Sequence, residues 1–200
     1  MRAPLGLDQV TLAVALGPLR LEHPLVDASG TFDLLEYARR YPGDFFADFP
    51  YAAYVPKTVT ADARAGNPPP RVTETPAGMI NAIGLENPGL DAWIAGLPDW
   101  AALRRPVIVS VGGNSPDQYA AVVRALEAHL ASAPQGSAPR IEGYELNVSC
   151  PNVADGLQIG ADPAATAAVV GACRSQTTRF LLAKLTPTVS NVTVAARAAV

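Results

Sequence analysis

Two hundred residues with 49% hydrophobic and 16% charged content describe a globular chain long enough for one substantial core. A formal charge of −3 gives no clustered basic footprint for nucleic acid, and no apolar run approaches the roughly 18 residues of a membrane helix. The opening MRAPLGLDQV lacks the basic-then-apolar layout of a signal peptide, so the expected setting is cytoplasmic, with a small-molecule partner, no nucleic acid and no membrane.

In chain order, Leu12 to Leu16 and Leu19 to Leu21 flank Gly17-Pro18 and predict a β-hairpin. A strand over Leu25 to Ala28, a helix from about Leu34 to Arg40 and a strand around Ala52 to Val55 are expected next. Between Thr58 and Pro88 the chain is rich in Gly, Pro and Asn and has no helical periodicity, which reads as a long functional loop. From Pro106 a strand-then-helix alternation sets in. Val107 to Val111 is apolar, and Asp117 to Leu130 places Tyr119, Val122, Val123 and Leu126 on one helical face. Ala131 to Pro139 reads as a solvated connection; a strand over Gly143 to Val148, a helix over Asp162 to Arg174, a strand over Phe180 to Leu185 and a helix starting near Asn191 follow. Strand starts near 107, 143 and 180 recur every 36 to 37 residues, which suits parallel pairing in either a barrel or a doubly wound sheet. A complete (β/α)₈ barrel takes about 250 residues. About five βα units are countable before Val200, so an open barrel edge is expected here and the natural sequence is expected to continue.

Four stretches offer chemistry. Asp27-Ala28-Ser29-Gly30-Thr31-Phe32 ends a strand with small residues that let a flat ligand approach the backbone, although an ordinary turn uses the same types. In Val55-Pro56-Lys57-Thr58, a lysine at a strand's C-terminal end can neutralise an anionic group; a lysine snorkelling to solvent is the plain alternative. Gly78 to Gly89 carries two amides, Asn81 and Asn87, each with donors and an acceptor suited to a pyrimidine-like ring, or to turn geometry. Glu145-Leu146-Asn147-Val148-Ser149-Cys150-Pro151-Asn152 delivers Asn147 and Cys150 to a strand mouth, where a thiol titrating near ~8.5 can serve as a base; most lone cysteines are small buried hydrophobes. Lys184 repeats the strand-end lysine and, inside an apolar strand, needs an anionic partner or an exit to water. Cys150 and Cys173 are too few for a disulfide framework, and the sequons at Asn147 and Asn191 are read as chance.

Taken together, KTVT, GNPPPRVTETPAGMINAIGLENPG and ELNVSCPNV resemble the class 1 dihydroorotate dehydrogenases, and the class 1B catalytic subunit more than class 1A, over Leu25 to about Ala199. The resemblance implies an α/β chain with the (β/α)₈ TIM barrel fold, residues 1–200 forming a single incomplete FMN-binding domain, the N-terminal two thirds of the family's length. It implies FMN contacts at Ser29, Lys57, Thr58, Asn147 and Lys184, and a substrate site for dihydroorotate or orotate at Lys57, Asn81, Ala82, Ile83, Gly84, Leu85 and Asn147. Cys150 would take the C5 proton as hydride leaves C6 for the flavin, in the pyrimidine (UMP) pathway. The class 1B likeness further implies an iron-sulfur flavoprotein partner with FAD and a [2Fe-2S] cluster passing electrons to NAD, in a homodimer or heterotetramer; two cysteines cannot ligate such a cluster, so it belongs to the partner, and no metal site is read in this chain.

Several positions depart from the family pattern. Ser110 stands where an asparagine contacting flavin is common, Glu86 where glutamine is usual, Pro56 where a small residue is usual, and KLTP replaces KLSP at Lys184. The competing readings are another flavin barrel, such as a dihydropyrimidine dehydrogenase domain or a tRNA dihydrouridine synthase, and a non-catalytic fragment of a larger assembly; the GMINAIGLENPG stretch favours the first family over both flavin alternatives.

Overall fold

The computed structural model describes residues 10–149 and 159–200. The chain begins with the expected hairpin, β1 (Val14–Leu16) antiparallel to β2 (Leu19–Leu21), turning at Gly17 with φ 58°. The helix α1 (Leu34–Arg40) has the expected bounds, and Asp33 caps it by accepting from the Glu36 N–H. The stretch from Thr58 to Pro88 is not the featureless loop its composition suggests. It contains a second antiparallel hairpin, β3 (Val72–Thr75) and β4 (Gly78–Asn81), and leads into a short helix, α2 (Leu90–Ala95). Both elements escape pattern reading for a physical reason. All four β4 residues are exposed, so no buried alternation marks the strand, and α2 is under two turns long.

From Pro106 the alternation follows expectation: β5 (Val107–Val111), α3 (Pro116–Ser132), β6 (Ile141–Asn147), α4 (Pro163–Arg174), β7 (Phe180–Lys184) and α5 (Val192–Ala198). Ser115, Asp162 and Asn191 cap the three helices with side-chain oxygens. β5 pairs parallel with β6, and β6 with β7. On the other side of β5 the segment 52–60 joins it through parallel bridges, Tyr54 to Val107 and Val59 to Val111. Segment 25–28 lies beyond that, tied by Ala52 N to Leu25 O at 2.9 Å and by Val55 N to Asp27 Oδ1 at 2.7 Å. These first two segments are extended without a regular ladder. Neighbours thus follow chain order from residue 25 to residue 184 with no reversal, the order of a (β/α)₈ barrel and not of a doubly wound sheet, which reverses at a switch point.

The two faces of this sheet differ. Val107, Val109 and Val111, with Tyr144, Leu146 and Val148, face the helices and join Val122, Val123, Leu126 and Val169 in the main core. The opposite, inner face is apolar at its N-terminal end, where Ile108 and Val55 pack with Leu19 and Leu21 of the hairpin and with Phe180. The hairpin therefore plugs that end. Higher on the same face the residues turn polar: Ser110 pairs in register with Glu145, and Asn147 with Lys184. Gly143 has to lack a side chain, because an added Cβ would collide with the Phe180 carbonyl. None of the described helices is long and apolar enough to cross a membrane.

Outside the sheet, the N-terminal ends of β6 and β7 are clamped by Glu127 of α3. Its Oε1 accepts from Tyr144 OH at 2.8 Å, Thr177 Oγ1 at 2.6 Å and Arg179 Nε at 3.1 Å, and Arg179 also donates to Ile141 O at 2.6 Å. Burial pushes the Glu127 carboxyl up, but the hydrogen bonds from Thr177 and Tyr144 and the Arg179 charge outweigh it and leave it below the ordinary glutamate range. A depressed folded-state pKa gives stability that is present above the unfolded-state value and lost as pH falls through the folded one. Glu127→Ala should lower unfolding free energy by roughly 1–3 kcal/mol at pH 7, since three donors lose their acceptor. The gap should narrow when urea midpoints are compared below the glutamate range; equal midpoints at pH 7 would remove the clamp from the account.

Candidate functional site

The polar layer of the inner face is a connected network at the strands' C-terminal ends. Lys184 Nζ donates to Asn147 Oδ1 at 2.7 Å and to Ser149 Oγ at 2.8 Å, and Ser149 Oγ donates to the same Asn147 oxygen at 2.8 Å. Asn147 Nδ2 donates to Thr58 Oγ1 at 2.9 Å; Thr58 Oγ1 lies 2.9 Å from Ser110 Oγ, which donates to Glu145 Oε1 at 2.9 Å. Glu145 closes the circuit, its Oε1 being 3.9 Å from Lys184 Nζ. Thr58, Ser110, Glu145 and Asn147 are all buried, and Lys184 is half-buried. A buried carboxylate costs several kcal/mol unless paired and hydrogen-bonded; Ser110 and Lys184 meet that requirement here. The lysine inside an apolar strand therefore has both the anionic partner and the path to water that its position demands.

Lys57 precedes Thr58 and lies over the turn that carries Ser29. A Cβ on Gly30, which has φ 69°, would sit 2.5 Å from Lys57 Cδ, so the bare glycine is what lets the lysine stem cross the strand end. Ser29 is half-buried beside it in a turn closed by Thr31 N to Ala28 O at 3.1 Å. Two residues earlier Asp27 is buried, with Oδ1 bonded to the Val55 N–H and Oδ2 without a partner. Burial pushes the Asp27 carboxyl up to about 7, the Glu145 charge adds to the effect, and the Val55 N–H opposes it.

The segment 58–89 folds back on itself beside this layer. Arg64 and Asn87 exchange both backbone hydrogen bonds, Asn67 N donates to Ile83 O, and Asn67 Nδ2 donates to Ala82 O at 2.7 Å. Gly84, at φ 80°, passes so close to Asn67 that a Cβ would lie 2.8 Å from its N. Leu85 takes a left-handed φ of 55°, held by Asn87 Nδ2 donating to its carbonyl at 2.8 Å. Its Cδ1 approaches the space above Gly112, next to the Thr58 methyl. Asn87 has no capacity left for a ligand: its Oδ1 accepts from Thr60 N and Gly89 N and its Nδ2 donates to Leu85 O and Thr60 Oγ1. It organises the loop, so of the two readings open for this amide the structure supports turn geometry. Asn81 and Ala82 are exposed at the end of β4 and line a separate cavity of about 320 Å³ with Arg71, Val72 and Ile80. Ile83 and Gly84 are half-buried.

Of the residues singled out in the sequence, the structure joins Thr58, Asn147 and Lys184 directly and sets Lys57, Ser29 and Leu85 alongside. Asn81 and Ala82 stand apart from the hydrogen-bonded layer. Cys150 lies outside the described residues; it follows Ser149 in the chain. Cys173 is free, wholly buried in the core, and its thiol is pushed up to about 12 by burial, so it is inert. Sequence reading passed over Asp27 and Glu145 as participants. The available signal was a carboxylate between Tyr144 and Leu146 in a buried parallel strand, where a charge demands a partner. As chemistry, two lysines, a primary amide and small backbone-exposing residues at one strand mouth suit a planar, polar, anionic ligand.

Comparison with known proteins gives a consistent picture. The family model for dihydroorotate dehydrogenase matches residues 11–200. The chain is 43% identical over 199 residues to a protein of Desulforudis audaxviator named dihydroorotate dehydrogenase B (NAD⁺), catalytic subunit, covering 96% of this chain and 59% of that one. It is 40% identical to a protein of the same name from Pelobacter propionicus, covering 94% and 58%. The chain thus spans about three-fifths of the length of these curated relatives. Among solved structures, the dihydroorotate dehydrogenase of Eimeria tenella in complex with ferulenol superposes with TM-score 0.72 at 18% identity, covering 100% of this chain and 59% of that one, a likeness of fold.

The buried Asp27 supports a stability prediction. A carboxyl whose folded-state pKa is raised destabilises the fold progressively as pH climbs from the unfolded-state value to the folded one, and the penalty is complete above about 7. Asp27→Asn keeps the acceptor for Val55 and removes the ionisation. The variant should be more stable than the parent at pH 8, by on the order of 1–3 kcal/mol, with the advantage shrinking at pH 5. Thermal unfolding at the two pH values measures it, and a pH-independent difference would refute the raised pKa.

Proposed function

Because the chain belongs to the dihydroorotate dehydrogenase family, we propose that it forms the FMN-binding part of an enzyme that oxidises dihydroorotate to orotate in pyrimidine synthesis. The observation that carries this reading is the hydrogen-bonded layer of Thr58, Asn147 and Lys184 at the C-terminal ends of the strands, the end at which barrel enzymes place their active sites. The residues present suit FMN. Lys57 and Lys184 are cationic, Asn147 retains a second Nδ2 proton, and Gly112 leaves bare backbone where a Cβ would lie 2.9 Å from the Thr58 methyl. Ser29, Lys57, Thr58, Asn147 and Lys184 would hold the cofactor, and Lys57, Asn147 and the segment Asn81 to Leu85 the substrate. Thr58 would do so through its backbone, its methyl group or the second lone pair of Oγ1, since its hydroxyl proton is committed to Ser110.

When bound, FMN supplies the two-electron acceptor for the hydride that leaves C6 of dihydroorotate. Cys150 as thiolate takes the C5 proton, so the C5–H electron pair becomes the new C5=C6 double bond and the thiol carries the proton away. Lys57 would offset the substrate carboxylate, and Asn147 would hold the ring in a fixed orientation. The relatives' name, catalytic subunit of an NAD⁺-dependent enzyme, supports a partner subunit that passes electrons to NAD; the class 1B resemblance extends the reading to an iron-sulfur flavoprotein with FAD and a [2Fe-2S] cluster in a cytoplasmic assembly.

The test uses the protein with all the sequence its gene encodes. It should retain FMN through gel filtration and form orotate from dihydroorotate with an added electron acceptor; retained flavin without orotate formation would overturn the reading. Cys150→Ala should keep the flavin yet lose at least ~100-fold in turnover, in line with general-base contributions. Gly30→Ala forces Lys57 off the strand end and should weaken FMN retention by about 10-fold, the loss of one charge-assisted contact; unchanged retention would take Lys57 out of the cofactor site.

A further inference from the structure

The network around Asn147 has a direction, and that direction is imposed from both ends. An ammonium only donates and a carboxylate only accepts. Lys184 Nζ, 2.7 Å from the Asn147 amide, must therefore face its oxygen. At the other end Ser110 gives its single hydroxyl proton to Glu145 Oε1, so Ser110 Oγ must accept from Thr58, and Thr58, its own proton used, must accept from Asn147 Nδ2. The sequence Lys184→Asn147→Thr58→Ser110→Glu145 is thus a one-way relay from a cation to an anion only 3.9 Å apart. Reversing any one bond would leave two protons facing each other or two lone pairs facing each other within a buried layer.

We propose that Ser110 and Glu145 are positioning residues, which through Thr58 fix the Asn147 amide in one of its two orientations and so determine which end of it a bound ring meets. Neither touches the strand mouth: Ser110 is 0% and Glu145 5% exposed. Lys184, with Ser149 donating to the same oxygen, sets the amide from one side. The relay sets it from the other, because without Ser110 the Thr58 hydroxyl proton is released to donate, and a turned Asn147 amide would then present an oxygen to it in place of Nδ2. The link stands on the hydrogen bonds; its effect on turnover rests on the proposed dihydroorotate oxidation.

Selective ¹⁵N-asparagine labelling of the full-length protein reads the amide directly, with Asn147 assigned by the signal lost in Asn147→Asp. The parent should give a single Asn147 Nδ2 pair with one proton exchanging at least ~10-fold more slowly than those of the exposed Asn81. In Ser110→Ala that protection should fall by ~10-fold or more, while Ser110→Thr, which keeps the hydroxyl, should hold it. Glu145→Gln, whose side chain can donate or accept, should lose the single orientation and split or broaden the pair; it carries the test if Ser110→Ala does not fold. An Asn147 pair unchanged in whichever of these two variants folds overturns the proposal whatever the turnover. In the flavin-loaded enzyme Ser110→Ala should lower kcat by more than it raises KM, with kcat restored in Ser110→Thr. A parent that forms no orotate refutes the dihydroorotate reading and leaves the exchange result to decide the relay.

Discussion

A carboxylate buried in the middle of a parallel sheet sets the terms for the rest of this fold. Glu145 sits on the inner face of β6, opposite Ser110 in register, and is 5% exposed. Its burial is tolerable only while Ser110 and Lys184 stand where they do, which requires β5, β6 and β7 to keep their present register. A one-residue slip of β6 would turn Glu145 and Asn147 toward the helices and bring Tyr144 and Leu146 inward. The register that lets the core pack is therefore the register that assembles the polar layer. In that sense site and fold are one constraint, seen from two faces of the same strands.

The two ends of the sheet divide the work. At the N-terminal end everything closes: β1 and β2 bring Leu19 and Leu21 against Ile108 and Phe180, and Glu127 gathers Tyr144, Thr177 and Arg179. At the C-terminal end Thr58, Ser110, Glu145 and Asn147 form a buried polar layer, Asp27 keeps an unpartnered oxygen, and Leu85 holds a left-handed backbone. Such costs are characteristic of functional sites and are met by stability supplied elsewhere. The segment 58–89 shows how the expense is contained, since Asn87 spends its whole amide holding Leu85 and Thr60 in place.

What pattern reading recovered follows from what pattern reading measures. The succession of strand and capped helix is strong from Val107 onward, and β5, α4 and α5 begin within a residue or so of the expected positions. The hairpin of β3 and β4 was illegible because its strands are stabilised by pairing with each other and not by a buried face. The strands before residue 60 could be located but not their irregularity, in which the Val55 N–H is bonded by the Asp27 side chain and the contact with β5 is reduced to isolated bridges. Among candidate-site residues, Lys57, Asn147 and Lys184 stood out because charge or amide at a strand end is unusual by itself. The link between Ser110 and Glu145 did not, since it is a pairing across two strands 35 residues apart, and Asn87 stayed open because a loop-organising amide and a ligand-reading amide look alike in sequence.

The serine at position 110 shows how a departure from a family pattern can conserve physics. An asparagine there would present its oxygen to Thr58 and its NH₂ to Glu145, so the relay would run in the same direction through two atoms. Ser110 does the same through one, accepting from Thr58 and donating to Glu145 at 2.9 Å each. The shorter side chain gives up reach toward the strand mouth and with it any direct contact with a ligand, but it leaves the polarity imposed on Asn147 intact. A residue that could not both accept and donate would interrupt that polarity, however well it filled the space. The requirement at this position is thus a hydrogen-bond direction, and more than one side chain can satisfy it.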